Sequence, residues 1–196
     1  MEMADYFSAL LASRQTILPK RLIAPGPDAA QLQSILDAAG HAPDHERLLP
    51  WRLVLIPAAA RAALGQAFAE ALLERDAAAL PEQVQQARDK AERAPLLLLL
   101  LVDAGCGDPE IDFAERVLSA GCAVQNMLLM ATALGFGSAL TSGKALKAGS
   151  LRRLFGLSEQ MHAVCFLSVG TVERAKPPRV RPRSADYVTS LNGDAS

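Results

Sequence analysis

A chain of 196 residues with 51% hydrophobic and 21% charged residues has the composition of a globular protein, which excludes intrinsic disorder. Its formal net charge of −1, without a basic block, argues against nucleic acid as the main partner. The length suits a single domain over residues 1–196, and the three cysteines (Cys106, Cys122 and Cys165) have no paired spacing, as expected of free thiols in a reducing compartment.

Tyr6, Leu10 and Leu11 fall at helical spacing between Asp5 and Arg14, which predicts a first amphipathic helix. The start lacks a basic segment followed by an apolar one, so it does not read as a signal peptide. Pro19, Pro25 and Pro27 predict an extended crossing segment. Asp28 is a natural N-cap for the helix AAQLQSILDAA, which ends at Gly40. The loop HAPDHERLLP then leads into a strand from Trp51 to Ile56. Pro57 opens an Ala-rich helix from about Ala58 to Ala79, and Pro81 a second, polar one. Neither carries a chemical motif, and both read as an excursion along the surface.

The run LLLLLLV after Pro95 predicts a strand buried on both faces. It is far shorter than the ~20 residues a membrane-spanning helix needs, so a cytoplasmic protein with no membrane anchor is expected. After a loop from Asp103 to Asp112, the stretch Phe113 to Gly135 has helical composition, and no charged residue occurs between Arg116 and Lys144. A helix so apolar is expected to be buried on every side, with its small residues admitting close neighbours, a second subunit among them. Gly135 and Gly137 allow the tight turn that follows it. A short strand at Ser138 to Thr141, a short helix at Ser150 to Phe155 and a buried strand at His162 to Val169 complete the order. Helices alternating irregularly with four or five strands predict an α+β fold. The C-terminal tail, with its prolines and basic residues, cannot form a core and is expected to lie extended, anchored by Tyr187 and Val188.

No sharp catalytic constellation is present. GFGSAL at 135 to 140 lacks the third glycine of a dinucleotide fingerprint and follows a helix where a strand is required. His41 and His45 stand four apart, but Pro43 breaks the helix a metal pair would need, so no metal site is expected. What is left is scattered: Arg14 and Thr16, the HAPDH loop, and TSGK at 141 to 144. Each alone reads as solvated surface or a turn. Together they supply cations, hydroxyls and backbone donors suited to a phosphate-bearing ligand.

The segments SRQT at 13 to 16, QLQSILDAAGHAPDHERLLPWR at 31 to 52, AGCAVQNMLLMATALGFGSALTSG at 120 to 143 and FLSVGT at 166 to 171 resemble, in this order, the nitroreductase family, in its small single-domain bacterial branch. That resemblance implies a mixed, mainly antiparallel sheet flanked by helices in a homodimer, with residues 172–196 as an extended arm crossing it. It implies FMN as cofactor and NAD(P)H as co-substrate, with a hydride passed through the flavin to a nitroaromatic, quinone or similar acceptor. The flavin carries the chemistry, so no catalytic side chain is implied. By the same resemblance Arg14, Gln15 and Thr16 match the family's Arg-Arg-Ser at the flavin. His41 matches an arginine and His45 the histidine of the APDH loop, in contact with the flavin from the partner subunit or nearby. Leu140, Thr141 and Ser142 match its Trp-Arg-Ser loop, and Met130 to Gly135 the stretch assigned to the nicotinamide nucleotide. Gln15, His41 and Thr141 each stand where the family has arginine, and Lys144 is placed to substitute. A charge-assisted contact contributes about 1.5–3 kcal/mol, so these replacements bear directly on flavin affinity. The alternatives are a family member without turnover that binds flavin or another small ligand, and a plain dimerisation domain.

Overall fold

The computed structural model describes residues 2–174, 177 and 179–191. In chain order the elements are α1 (Met3–Ser13), β1 (Leu22–Ile23), α2 (Ala29–Ala39), β2 (Trp51–Leu55), α3 (Arg61–Arg75), α4 (Pro81–Asp89), β3 (Leu96–Asp103), α5 (Phe113–Ala133), β4 (Gly137–Thr141), α6 (Gly149–Phe155) and β5 (Met161–Val172). Short 3-10 turns lie between them. The fold is α+β, as the sequence predicts.

The leucine run of β3 is the centre of the molecule. Leu96, Leu98, Leu100 and Val102 face one core, and Leu97, Leu99 and Leu101 face the other. A strand buried on both faces needs no polar alternation, which is why the run is continuous. Each fully buried leucine contributes roughly 1.5–3 kcal/mol. β3 pairs antiparallel with β2 (Leu53 opposite Leu100) and with β5 (Leu98 opposite Leu167). β5 in turn carries β1 and β4, both antiparallel, giving the order β1-β5-β3-β2 with β4 beside β5.

One face of the sheet is covered by α2 and α5, the other by α3 and α6, with α4 packed on α3. The start of α2 is locked by a reciprocal cap: Asp28 Oδ1 accepts from Gln31 N at 2.8 Å, and Gln31 Oε1 accepts from Asp28 N at 3.0 Å. α3 stops at Arg75, four residues before the expected end at Ala79. There the Asp76 carboxylate accepts from Ala78 N at 3.2 Å, offering the backbone a turn in place of another helical bond.

Two features differ from the sequence reading. The proline-bounded crossing segment contains β1, a two-residue strand held by Leu22 opposite Val172 and Ile23 opposite Thr171. β5 therefore runs through Gly170 to Val172, past the expected end at Val169. The central helix α5 is not buried all round in one chain either. Ala120, Ala123, Val124, Met127 and Ala131 face the core, whereas Leu118 is 68% exposed and Gly121 and Gln125 share that open side. Of the expected arm, residues 175, 176, 178 and 192–196 lie outside the described residues. Tyr187 and Val188 are exposed within this chain, which therefore offers no docking for the expected apolar anchor.

Gly137 marks where β4 enters the sheet. A Cβ there would stand 2.5 Å from Val172 Cγ2 and 2.9 Å from Leu22 Cδ2. Gly137→Ala is expected to cost about 1–3 kcal/mol through this overpacking, read as an earlier urea midpoint with an unchanged slope.

Candidate functional site

The site grows from the way the chain leaves α1. Arg14 turns out of the helix with φ −62° and ψ 120°, and the next residues run alongside β4. Thr16 bridges Ser138 in parallel, and Ile17 N donates to Ser138 O at 2.9 Å. Ile17 is buried beneath, an apolar peg that holds segment 14–20 against the strand. This brings the first and third groups of expected residues together, although more than 120 positions separate them in the sequence.

Two recesses flank that seam. The smaller, about 250 Å³, is lined by Arg14, Thr16, Gln125, Leu128 and the strand residues Ser138 to Leu140. Ser138 Oγ is buried there, and the described residues give it no hydrogen-bond partner. A buried hydroxyl without a partner carries a cost of about 1–3 kcal/mol, which a ligand oxygen at this point would offset. Arg181 of the C-terminal segment reaches the same place, its Nη2 donating to Arg14 O at 2.6 Å. Burial, and then the charge of Arg181, lower the pKa of Arg14 from its ordinary value. Neither guanidinium has a carboxylate within 4 Å among the described residues. Two arginines, a threonine and a buried serine with no internal partner for its hydroxyl form a donor set suited to a phosphate or a polyol phosphate.

The larger recess is a cleft of about 670 Å³ between α3, α4 and the loop after β4. Its apolar floor includes Phe68, Leu72, Leu97, Leu146 and Phe166, with Phe68 and Phe166 edge to face at 5.5 Å. Such a floor suits a flat heteroaromatic ring. Thr141, Ser142 and Lys144 line its edge. Lys20, Arg75, Lys90 and Arg93 line it as well, beside the amides of Gln83 and Gln86.

Of the expected residues, then, Arg14, Thr16 and Leu140 line the small recess, and Thr141, Ser142 and Lys144 the cleft. Gln15, half-buried, sits on the seam and lines neither. His41 and His45 are elsewhere in the chain. His41 follows α2 and is exposed, and His45 Nδ1 lies 3.0 Å from Glu115 Oε2 at the start of α5. The HAPDH loop that carries them holds Glu46, Arg47 and Leu49 at positive φ (49°, 60° and 47°). Left-handed backbone in three non-glycine residues costs free energy and tends to collect at functional loops. Asp44 fixes the loop by accepting from Leu49 N at 2.6 Å. Met130 to Gly135, at the end of α5, line neither recess.

Sequence reasoning missed Arg181 and the cations of α3 and α4. Arg181 sits in a tail whose only signal was basic composition, and the helical excursion 58–92 was read as plain surface. A register of Arg75, Lys90 and Arg93 against one cleft depends on how α3 and α4 pack, which no local pattern encodes. Ser138→Ala is expected to raise the stability of the ligand-free protein by about 1 kcal/mol in urea, because an unsatisfied group is removed, while weakening any ligand that uses the hydroxyl.

The chain and its fold are similar to known proteins. Residues 12–171 match the model of the nitroreductase family. A Haemophilus influenzae protein provisionally named an NAD(P)H nitroreductase is 32% identical over 183 residues, covering 93% of this chain and 97% of its own. Among solved structures, the nitroreductase-like family protein of Bacillus cereus superposes with a TM-score of 0.81 at 18% identity over 95% of this chain and 96% of its own. The FMN-dependent nitroreductase NfnB of Mycobacterium smegmatis, solved in complex with NADPH, superposes with a TM-score of 0.74 at 16% identity over 97% of this chain and all of its own. A family match over most of the chain and a relative of similar length, joined to a fold shared from end to end, place this protein in the nitroreductase family.

Proposed function

We propose that this protein is a flavoenzyme that binds FMN across the two recesses and passes electrons from NAD(P)H to a nitroaromatic, quinone or similar acceptor. The observation that carries the reading is the donor set at the seam: Arg14, Arg181 and Ser138 Oγ, the last without a hydrogen-bond partner among the described residues, beside an aromatic-floored cleft. The donor chemistry fits a flavin phosphate and ribityl chain, and the cleft edge at Thr141, Ser142 and Lys144 fits the ring. Arg14 and Arg181 would neutralise the phosphate, with Thr16 and Ser138 supplying hydroxyls. The loss of the family's arginines at Gln15, His41 and Thr141 is offset by Arg181 at the seam and by Lys144 at the cleft edge. FMN, when bound, supplies the hydride chemistry. The chain's own task is to hold the ring against the apolar floor, limit water there, and present Lys144 to the charge that develops on reduction.

The family arrangement also calls for a second copy of the chain. α1 has no buried residue and exposes Met3, Tyr6, Phe7 and Leu11, next to the open side of α5. We read this as the face of a homodimer, which would bring the partner's HAPDH loop, with His41 and His45, to the flavin. A single-domain subunit over residues 1–196 working in the cytoplasm completes the reading. Among the described residues no helix is long and apolar enough to cross a membrane.

The direct test is the visible spectrum of the purified protein, with FMN titrated into the apo form. Flavin absorbance that stays with the protein through gel filtration is the expected result, and a protein that releases all added FMN contradicts the proposal. The dimer is tested with Gly121→Leu. A Cβ there meets nothing within 4 Å outside its own helix backbone, and Gly121 is exposed in the single chain, so the fold tolerates a side chain. Light scattering should show the variant shifted from dimer to monomer with its far-UV spectrum intact, and an unshifted dimer would place the interface elsewhere.

A further inference from the structure

The cleft carries more positive charge than one flavin phosphate accounts for. Lys20, Arg75, Lys90, Arg93 and Lys144 all line it, and no aspartate or glutamate does. The chain as a whole has 21 acidic residues against 20 basic ones, so an acid-free lining with five cations is a local segregation, not a reflection of composition. None of the five side chains takes part in an ion pair within 4 Å or a hydrogen bond among the described residues. Solvated lysines and arginines on a neutral protein normally intersperse with carboxylates. Five that share one concave, apolar-floored recess repel one another and focus a positive potential into it.

On the proposed function, on which this inference rests, the flavin phosphate is met at the seam by Arg14 and Arg181, not in the cleft. The cleft cations therefore face whatever approaches the ring. We infer that they select the hydride donor, favouring the nicotinamide dinucleotide that carries a 2′-phosphate over the one that lacks it. The pyrophosphate is common to both donors and cannot discriminate. The additional phosphate monoester brings a charge of about −1.5 to −2 at neutral pH. Only that group converts a surplus of cations into a difference between the two donors. Arginine suits the phosphate by its forked donors, and lysine as a compact point charge. Lys90 and the half-buried Arg93, in and just after the 3-10 turn that follows α4, are the pair that can hold that charge, with the amides of Gln83 and Gln86 alongside for the ribose and adenine.

The test uses full-length, FMN-loaded protein and two probes that cannot donate a hydride and differ only in the 2′-phosphate, 2′,5′-ADP and 5′-AMP, titrated by calorimetry. The expected result is binding of 2′,5′-ADP at least about tenfold tighter than 5′-AMP, as one well-made charge-assisted contact provides. Raising the ionic strength from about 0.01 M to about 1 M shortens the screening length from ~30 Å to ~3 Å and should erase most of that preference. Lys90→Glu/Arg93→Glu should abolish the preference while leaving the flavin absorbance ratio unchanged, and Arg75→Glu at the end of α3 should reduce it in part. Equal affinity for the two probes in the wild type overturns the inference, as does a preference that survives in both variants. Failure of FMN to bind is read separately, from the flavin spectrum, and strikes the proposed function instead. In steady state, the ratio of kcat/KM for NADPH to that for NADH should follow the calorimetric ratio.

Discussion

Arg14→Ala should weaken FMN binding by roughly ten- to a hundredfold, the factor equivalent to losing one charge-assisted contact of about 1.5–3 kcal/mol. Arg181→Ala should cost a comparable factor, because its guanidinium reaches Arg14 from the C-terminal segment and, on the proposed function, both face the same phosphate. Arg181 also donates to the Arg14 carbonyl, so removing it loosens the turn that aims Arg14. The two losses should therefore not simply add, and the double variant should fall short of the product of the single effects. Flavin fluorescence quenching gives all the affinities of the cycle. A double variant that binds FMN as tightly as wild type would move the phosphate out of the seam. The apo stability of Arg14→Ala should be near wild type or slightly higher, since a partly desolvated guanidinium repelled by its neighbour is removed. That opposite sign separates a binding residue from a structural one.

Arg116→Met should be the most destabilising single change. Arg116 lies in α5 but is 1% exposed, and it has no carboxylate partner within 4 Å among the described residues. Its guanidinium instead organises the loop between β3 and α5. Nε donates to Ile111 O at 3.1 Å, Nη1 to Cys106 O at 2.6 Å, and Nη2 to Asp108 O at 2.8 Å. A longer contact joins Nη1 to Asp103 O at 3.4 Å, and the Cys106 thiol lies at 3.2 Å. The loop folds around the cation because its carbonyls, turned inward, have no strand or helix to pair with. Methionine matches the stem but leaves the Ile111 and Cys106 carbonyls without the guanidinium donor, at about 1–3 kcal/mol for each one that water cannot reach, while Asp108 O keeps a bond from Ile111 N at 3.3 Å. A net loss of roughly 3–5 kcal/mol follows after the loop relaxes, lowering Tm by about 10–15 °C in a chain of this size. Arg116→Lys should recover little of it, because an ammonium cannot span the fork that serves Ile111, Cys106 and Asp108. The loss should appear first as proteolytic cleavage within residues 103–111, ahead of global unfolding. A loop that stays protected in Arg116→Met would mean the backbone holds itself.

The unequal legibility of the chain follows from how local each signal is. The leucine run of β3 and the cap at Asp28 are written in consecutive residues, and both stand where expected. The same holds for the residues that carried the family resemblance, because each motif is short and contiguous. β1 is different: Leu22 and Ile23 have no strand pattern of their own and become a strand only because Val172 and Thr171 lie opposite. α3 was overrun for a complementary reason. Ala77 to Ala79 favour helix locally, but the Asp76 side chain captures the backbone first.

For the site, the sequence by itself determined the residue types at Arg14, Thr16 and Leu140 to Lys144, and with them the expectation of a phosphate-bearing ligand. Tertiary structure alone decided which of them meet. The bond from Ile17 N to Ser138 O joins the end of α1 to β4, and so makes one seam of two distant motifs. The packing of α4 on α3 brings Arg75, Lys90 and Arg93 to one cleft. His41 and His45 stand apart from that cleft within one subunit. Periodicity reports which face of a helix is buried. It carries no information on which charges of two different helices will share one cleft, because that depends on the angle and register at which apolar faces interlock.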